Sequence, residues 1–177
     1  MEALSAIEVR TKSARLAMGF FGIQDFEFHN LPCGRFDQVP IIIINKIIED
    51  SIRDFEPDTV FTHSPNDANN DHKITFNSTL MATRPGAKNH VDRLLSYEVL
   101  SSSEWSYTNI FTPNYFEEIS EEDLSRKWHA LSLYDSEIRN YPFPRSDEGV
   151  RALSMNRGMQ AGVPYAEAFH LVRMFKK

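Results

Sequence analysis

Between residues 40 and 83 the chain alternates helix, strand, polar loop and helix, and this run constrains the fold more than any other feature. Pro40 opens a helix from Ile41 to about Phe55, since proline's fixed φ and missing N–H suit a first turn. Pro57-Asp58 breaks it. Thr59 to Thr62 is β-branched and aromatic and reads as a short strand. Ser64-Pro65-Asn66-Asp67 is rich in turn formers. A helix then runs from Asp71 to about Thr83, stopped by Arg84-Pro85-Gly86.

Either side of this run the pattern is weaker. Residues 3 to 21 place Ile7, Ala14, Ala17 and Phe21 at roughly helical spacing, with Gly22 at the end. Phe26 to His29 alternates and is expected to form a strand. Further strands are expected over 94–100 and near Phe116. Ser120, with Asp123 three residues on, starts a helix predicted to reach Arg139. Another helix begins after Ser146, and Tyr165 to Met174 reads as either strand or helix. Helices alternating with strands predict an α/β sheet with parallel strands. Ligands of such sheets bind outside the carboxyl ends of the strands.

The 177 residues show no linker or repeat, so the chain reads as one domain over 1–177. The net charge of -6 and the lack of a basic stretch argue against nucleic acid and anionic membranes as partners. A lone cysteine, Cys33, rules out an internal disulfide and fits a reducing compartment. No apolar run could span a bilayer, and no leader pattern opens the chain. A soluble cytoplasmic protein is expected.

The loop from Thr62 to His72 follows the apolar strand and holds two Asp, two His and three Asn between residues 63 and 72. Divalent metals take neutral imidazole nitrogen or carboxylate oxygen, on backbone able to turn around them. His72, at a helix start, could present its ring to a metal, with Asp71 holding the other ring nitrogen or the helix start. The same residues also read as a plain helix cap with a surface histidine. His63 reads first as a strand end, with a lesser weight as a ligand contact. His29, His90, His129 and His170 have no carboxylate or histidine partner at ligand spacing in the sequence and read as structural or surface residues.

The segment FTHSPNDANNDHKIT resembles the second motif of the LmbE/PIG-L family of metal-dependent N-deacetylases, in which a strand runs through a Thr-His-Ser loop to Asp-His. VRTKSARLAMGFFGI, LPCGRFDQVP, LLSYEVLSSSEW, FTPNYFEEIS, KWHALSLYDSEI and YAEAFHLVR resemble further blocks of that family, in order. The resemblance implies an LmbE-like α/β fold, a Rossmann-like parallel sheet flanked by helices, and a zinc cofactor. It also implies an N-acetylated amino sugar, or its nucleotide or lipid conjugate, as substrate.

By the same resemblance His72 is a zinc ligand and Asp71 supports it. Asn69 stands where many members carry a histidine that polarises the substrate carbonyl; an amide could still donate a hydrogen bond to an oxyanion there. Asp67 matches a frequent loop acid and is expected at the rim. Arg10 and Asp37 match positions near the substrate pocket, with surface ion pairs as the plain alternative.

The sequence also departs from the family. The first motif, His-Pro-Asp-Asp, which supplies two more zinc ligands and the general base, occurs nowhere in the chain. Its strand is expected to be missing from the sheet, leaving an open edge that would favour a homo-oligomer. Cys33-Gly34 and Ser13 also depart from common family residues. Hydrolysis by zinc needs three protein ligands and an open position for water. Two readings therefore stand: a zinc-dependent deacetylase of an amino sugar, with half of its metal site absent from these residues, and a degenerate non-catalytic sugar-binding or scaffold domain.

Overall fold

The computed structural model describes residues 2–86 and 91–176, with side chains from residue 7 onward. The expectation for His90 lies outside these residues. The chain forms two compact units, residues 1–30 with 118–167 and residues 31–117 with 168–177.

The first unit is helical. Helix α1 spans Glu2–Phe21. It ends as the sequence indicates: Gly22 takes φ 69°, and the Ile23 N–H donates to the Met18 carbonyl at 2.9 Å. Residues 26–29, expected as a strand, form none. Alternation alone does not make a strand where no neighbour completes the backbone ladder. The alternating rings serve side-chain packing instead. Phe26 and Phe28 meet edge to face at 5.5 Å, and the Arg15 guanidinium lies over both. His29 approaches Glu27 at 3.1 Å, a partner two residues away.

Helix α4, Glu121–Ser132, begins at a capping box. The Ser120 hydroxyl accepts from the Asp123 N–H at 3.1 Å, and the Asp123 carboxylate accepts from the Ser120 N–H at 3.0 Å. The helix stops seven residues short of the expected Arg139, since it ends at Ser132. Asp135 and Ser136 favour turns over helix. The N–H groups of Tyr134 and Glu137 donate to carbonyls three residues back. The Glu137 side chain is drawn to Arg145 and Arg10. Helix α5, Asp147–Ala161, is capped by Ser146, whose hydroxyl accepts from the Gly149 N–H at 3.0 Å. Among the described residues, Ala17, Leu124, Ala130 and Val150 are the buried apolar side chains on α1, α4 and α5.

The second unit holds the sheet. Helix α2, Ile41–Phe55, leads to strand β1, Thr59–His63, then to helix α3, Asn70–Ala82, and to strand β2, Arg93–Tyr97. Strands β3, Tyr115–Glu118, and β4, Ala166–Met174, complete a four-stranded sheet in the order β1-β2-β4-β3. The parallel expectation holds for β1 and β2, with His63 opposite Tyr97. Strand β4 runs antiparallel to β2, so the sheet is mixed. Parallel pairing needs a crossover, which α3 provides between β1 and β2. The α/β class read from the sequence stands.

Of the Ile41–Ile44 run only Ile44 is buried, at 3% exposure, while Ile42 is 67% exposed. Ile44, Ile48 and Ile52 follow at four-residue steps on one face of α2. Ile52 joins Ala82 of α3 and Val91 in the core, with Ile48 and Val60 packed against it. The buried face of α3 mixes Phe76 and Ala82 with the hydroxyls of Ser78 and Thr79. Thr62 of β1 and Thr79 of α3, both buried, hydrogen-bond at 3.1 Å. Thr75, Thr79 and Thr83 each donate to the carbonyl four residues back. No described helix is long and apolar enough to cross a membrane.

Candidate active site

The parallel pair β1–β2 delivers His63 and Tyr97 side by side at its carboxyl end, where α/β sheets place their ligands. The chain then turns at once. The Ser64 hydroxyl accepts from the Asn66 N–H at 3.1 Å. Asn69 caps α3, its side-chain oxygen accepting from the Asp71 N–H at 2.9 Å. That leaves the Asn69 amide NH2 to face outward, 3.4 Å from His72 Nε2.

Asp67, expected at the rim, is fully buried at 0% exposure. A buried carboxylate must be saturated with donors, and the sequence supplies them. Asp67 accepts from the Asn69 N–H at 2.8 Å, from the Ser103 hydroxyl at 2.9 Å, and from the Ser102 hydroxyl. Its Oδ1 also lies 3.1 Å from His72 Nδ1, a close contact whose angle falls short of an aligned hydrogen bond. Burial alone would raise the Asp67 pKa. The contacts with His72, Ser102, Asn69 and Ser103 outweigh it and hold the carboxyl well below the usual carboxylate range.

His72 therefore presents one ring nitrogen to a buried carboxylate, and its side chain stays 19% exposed. A carboxylate at Nδ1 favours the tautomer whose Nε2 is an acceptor, and the Asn69 NH2, 3.4 Å away, is its donor. The His63 ring stacks on it at 4.2 Å between centroids, 23° apart. His63 Nε2 is 3.4 Å from the Tyr97 hydroxyl, while its Nδ1 is buried without a hydrogen-bond partner among the described residues. Burial, and then the charge of His72 alongside, push the His63 pKa down to about 4 against a smaller opposing pull from Asp67. Burial and the charge of Asp67 push Tyr97 up to about 12. At neutral pH, then, a neutral imidazole and a protonated phenol flank His72.

Asp71 does not take the place expected beside the His72 ring; Asp67 holds it. The Asp71 carboxylate instead accepts from the backbone N–H groups of Gly34 and, at 3.0 Å, Phe36. At a helix N-terminus the first-turn side chain and the neighbouring ring diverge, so only the acid five residues earlier reaches Nδ1. Asp37 is exposed, in the short 3-10 turn Phe36–Gln38 that follows these two amides. Arg10 belongs to the first unit, where its Nε is 3.4 Å from Glu137.

Sequence reasoning missed Ser102, Ser103 and Tyr97, and gave His63 little weight. The available signal was a run of three serines, 101–103, shortly after a strand whose carboxyl end faces the site. Among the described residues no group of three or more His, Cys, Asp or Glu is placed to hold a metal ion.

Residues 2–83 match the family model PIG-L, GlcNAc-PI de-N-acetylase. Three solved structures share the fold. The conserved protein TT1542 from Thermus thermophilus superposes with a TM-score of 0.75 at 22% identity, over 96% of this chain and 76% of that one. The N,N'-diacetylchitobiose deacetylase from Pyrococcus horikoshii gives 0.73 at 18% identity, over 93% and 63%. GalB, the 4-carboxy-2-hydroxymuconate hydratase from Pseudomonas putida, gives 0.71 at 19% identity, over 96% and 74%. The chain thus spans less than two thirds of the length of the chitobiose deacetylase. No curated protein matches the chain. Residues 2–83 thus resemble the PIG-L family, and the chain shares the fold of these three structures.

Proposed function

We propose that this chain forms one wall of a metal-dependent N-deacetylase site, which hydrolyses the N-acetyl group of an amino-sugar substrate. The observation that carries the reading is the His72 ring, with Nδ1 against the buried Asp67 carboxylate and Nε2 turned outward at the carboxyl end of β1. A carboxylate behind an imidazole is the usual support of a metal ligand. The family description and the chitobiose deacetylase both name removal of an acetyl group from an amino sugar. The hydratase on the same fold is a reminder that the fold alone does not choose the reaction.

Zinc fits this site only in part. The donor set offers one well-supported imidazole where a catalytic zinc needs three protein ligands, and no such trio occurs among the described residues. What these residues can do unaided is orient and donate. The Asn69 amide NH2, beside His72 Nε2, is placed to donate to a carbonyl oxygen developing negative charge. The Tyr97 hydroxyl, kept protonated, holds the inner His63 ring.

The missing trio also favours a second reading, a sugar-binding domain that does not react. The test separates the two. The 177-residue chain alone should lose zinc on dialysis and release no acetate from N-acetylated amino sugars. Joined to a strand bearing the family's His-Pro-Asp-Asp, it should keep zinc and release acetate, and His72→Ala should abolish both. Acetate release that survives His72→Ala would overturn the assignment. A joined protein that binds the sugar but never releases acetate would favour the non-reacting reading.

A further inference from the structure

We propose that Asp71 is a positioning residue for the substrate-binding loop. By clamping the Gly34 and Phe36 amides to the start of α3, it fixes the wall of a sugar subsite. The inference rests on the amino-sugar reading above.

Asp71 is 7% exposed, yet it spends neither carboxylate oxygen on His72. Both reach 35 or more residues back along the chain, one oxygen to each amide. Two N–H donors to one carboxylate make a charge-assisted pair, roughly twice as strong as neutral bonds. Between those amides only short-range backbone bonds hold Arg35: its N–H donates to the Pro32 carbonyl at 3.1 Å and its carbonyl accepts from the Gln38 N–H at 3.0 Å. Gly34 stands at φ 73°, in the left-handed region that glycine enters freely. The residue capping the following 3-10 turn, Arg35, makes no side-chain capping bond.

Directly after the clamp the chain forms a pocket of about 430 Å3, within the usual roughly 300–1,000 Å3 of small-ligand sites. Phe36, Ile41 and Ile74 give it apolar walls, and Asp37 and Gln38 add polar groups. A pyranose needs this mixture: C–H faces lie on apolar walls while hydroxyls take directed hydrogen bonds. Ile74 lies on α3, three residues past Asp71, so the same turn of helix that anchors the loop also supplies the opposite wall. His72 sits between Asp71 and Ile74 in sequence. The clamp therefore ties the pocket's rim to the helix turn that carries the imidazole.

The test uses the 177-residue chain by NMR, with N-acetylglucosamine as the probe. In the wild type, hydrogen-bond scalar couplings should run from the Gly34 and Phe36 amides to the Asp71 carboxylate carbon, and both amides should resist hydrogen exchange. The sugar should shift the amides of residues 36–41. In Asp71→Asn the side-chain NH2 faces a donor, so at least one coupling should vanish and exchange at both amides should quicken. The sugar Kd should rise about tenfold, with the thermal midpoint lowered but the amide spectrum still dispersed and the chain folded. Asp71→Ala should weaken sugar binding at least as much. If the couplings are absent in the wild type, or sugar binding is equal in wild type and both variants, the clamp role is overturned while the amino-sugar reading stands. If the wild type shows no sugar-induced shift anywhere, the amino-sugar reading fails and the inference falls with it.

Discussion

Lowering the pH from 7 to 4 is expected to remove about 3 kcal/mol of stability through His63 alone. The folded state holds this imidazole at a pKa of about 4, against an ordinary 6.5. Unfolded chains therefore take up a proton at His63 between those values while folded chains do not. The contribution is fully present above pH 6.5 and fades as the pH falls towards 4. The cause is physical: the ring is largely buried, stacked on His72, and has one nitrogen without a hydrogen-bond partner among the described residues. His63→Phe keeps a ring in the stack and removes the proton. Urea unfolding at closely spaced pH values should show the variant losing about 3 kcal/mol less than wild type across this window. An unchanged slope would mean the ring is hydrated and its pKa ordinary. Below about pH 4 a second loss follows. Asp67, held below its usual 3.8, stabilises the fold above that value, and the benefit declines as acid protonates it.

Asp67→Ala is the most damaging single substitution expected in this unit. It leaves two serine hydroxyls, the Asn69 N–H and one edge of His72 facing an empty buried site. Breaking a buried, fully paired charge costs about 3–5 kcal/mol, enough to unfold a marginal domain. Asp67→Asn is the finer probe. It keeps the volume, but its NH2 must face donors, so it should lose roughly half as much stability and release the His72 ring from its orientation. Ser102→Ala and Ser103→Ala together remove two donors and should raise the Asp67 pKa, measurable by carboxyl 13C titration. If Asp67→Ala proves as stable as wild type, the carboxylate is solvated and the account of the site is wrong.

These expectations show where the sequence was legible. Helix α2 was readable because Pro40 opens it and Ile44, Ile48 and Ile52 mark its inner face. Helix α4 was readable at its start, where Ser120 and Asp123 form a local capping box, and misread at its end, where Asp135 and Ser136 turn the chain. Helix α3 carries no continuous apolar stripe, since Ser78 and Thr79 share its buried face with Phe76 and Ala82; its cap and the Pro85 stop marked it. The strand expected at residues 26–29 failed because alternation reports side-chain direction, whereas a strand needs a neighbour, which no local pattern supplies.

The site divides along the same line. Asn69, Asp71 and His72 were visible as a cluster because they are adjacent in sequence. The division of labour between the two acids was not. Which acid reaches the ring depends on how a turn folds back: Asp67, expected at the rim, lies at the ring, and Asp71 turns to the Gly34 and Phe36 amides. Ser102 and Ser103 lie 35 and 36 residues from their partner, a separation at which only the β1–β2 pairing brings them together. Their chemistry is ordinary and their meaning comes wholly from the fold.

The His72 imidazole has its inner nitrogen against a buried acid, and its outer nitrogen, beside the Asn69 NH2, is the one a metal would take. Long-range 1H–15N spectra of the histidine rings during a zinc titration test this most directly. The prediction is that millimolar zinc shifts Nε2 of His72 to a coordinated position and leaves its Nδ1 protonated against Asp67, and that in His72→Ala the remaining histidine rings keep their zinc-free shifts. Zinc that coordinates Nδ1 instead, or that leaves the His72 ring unchanged while binding other histidines, would contradict it.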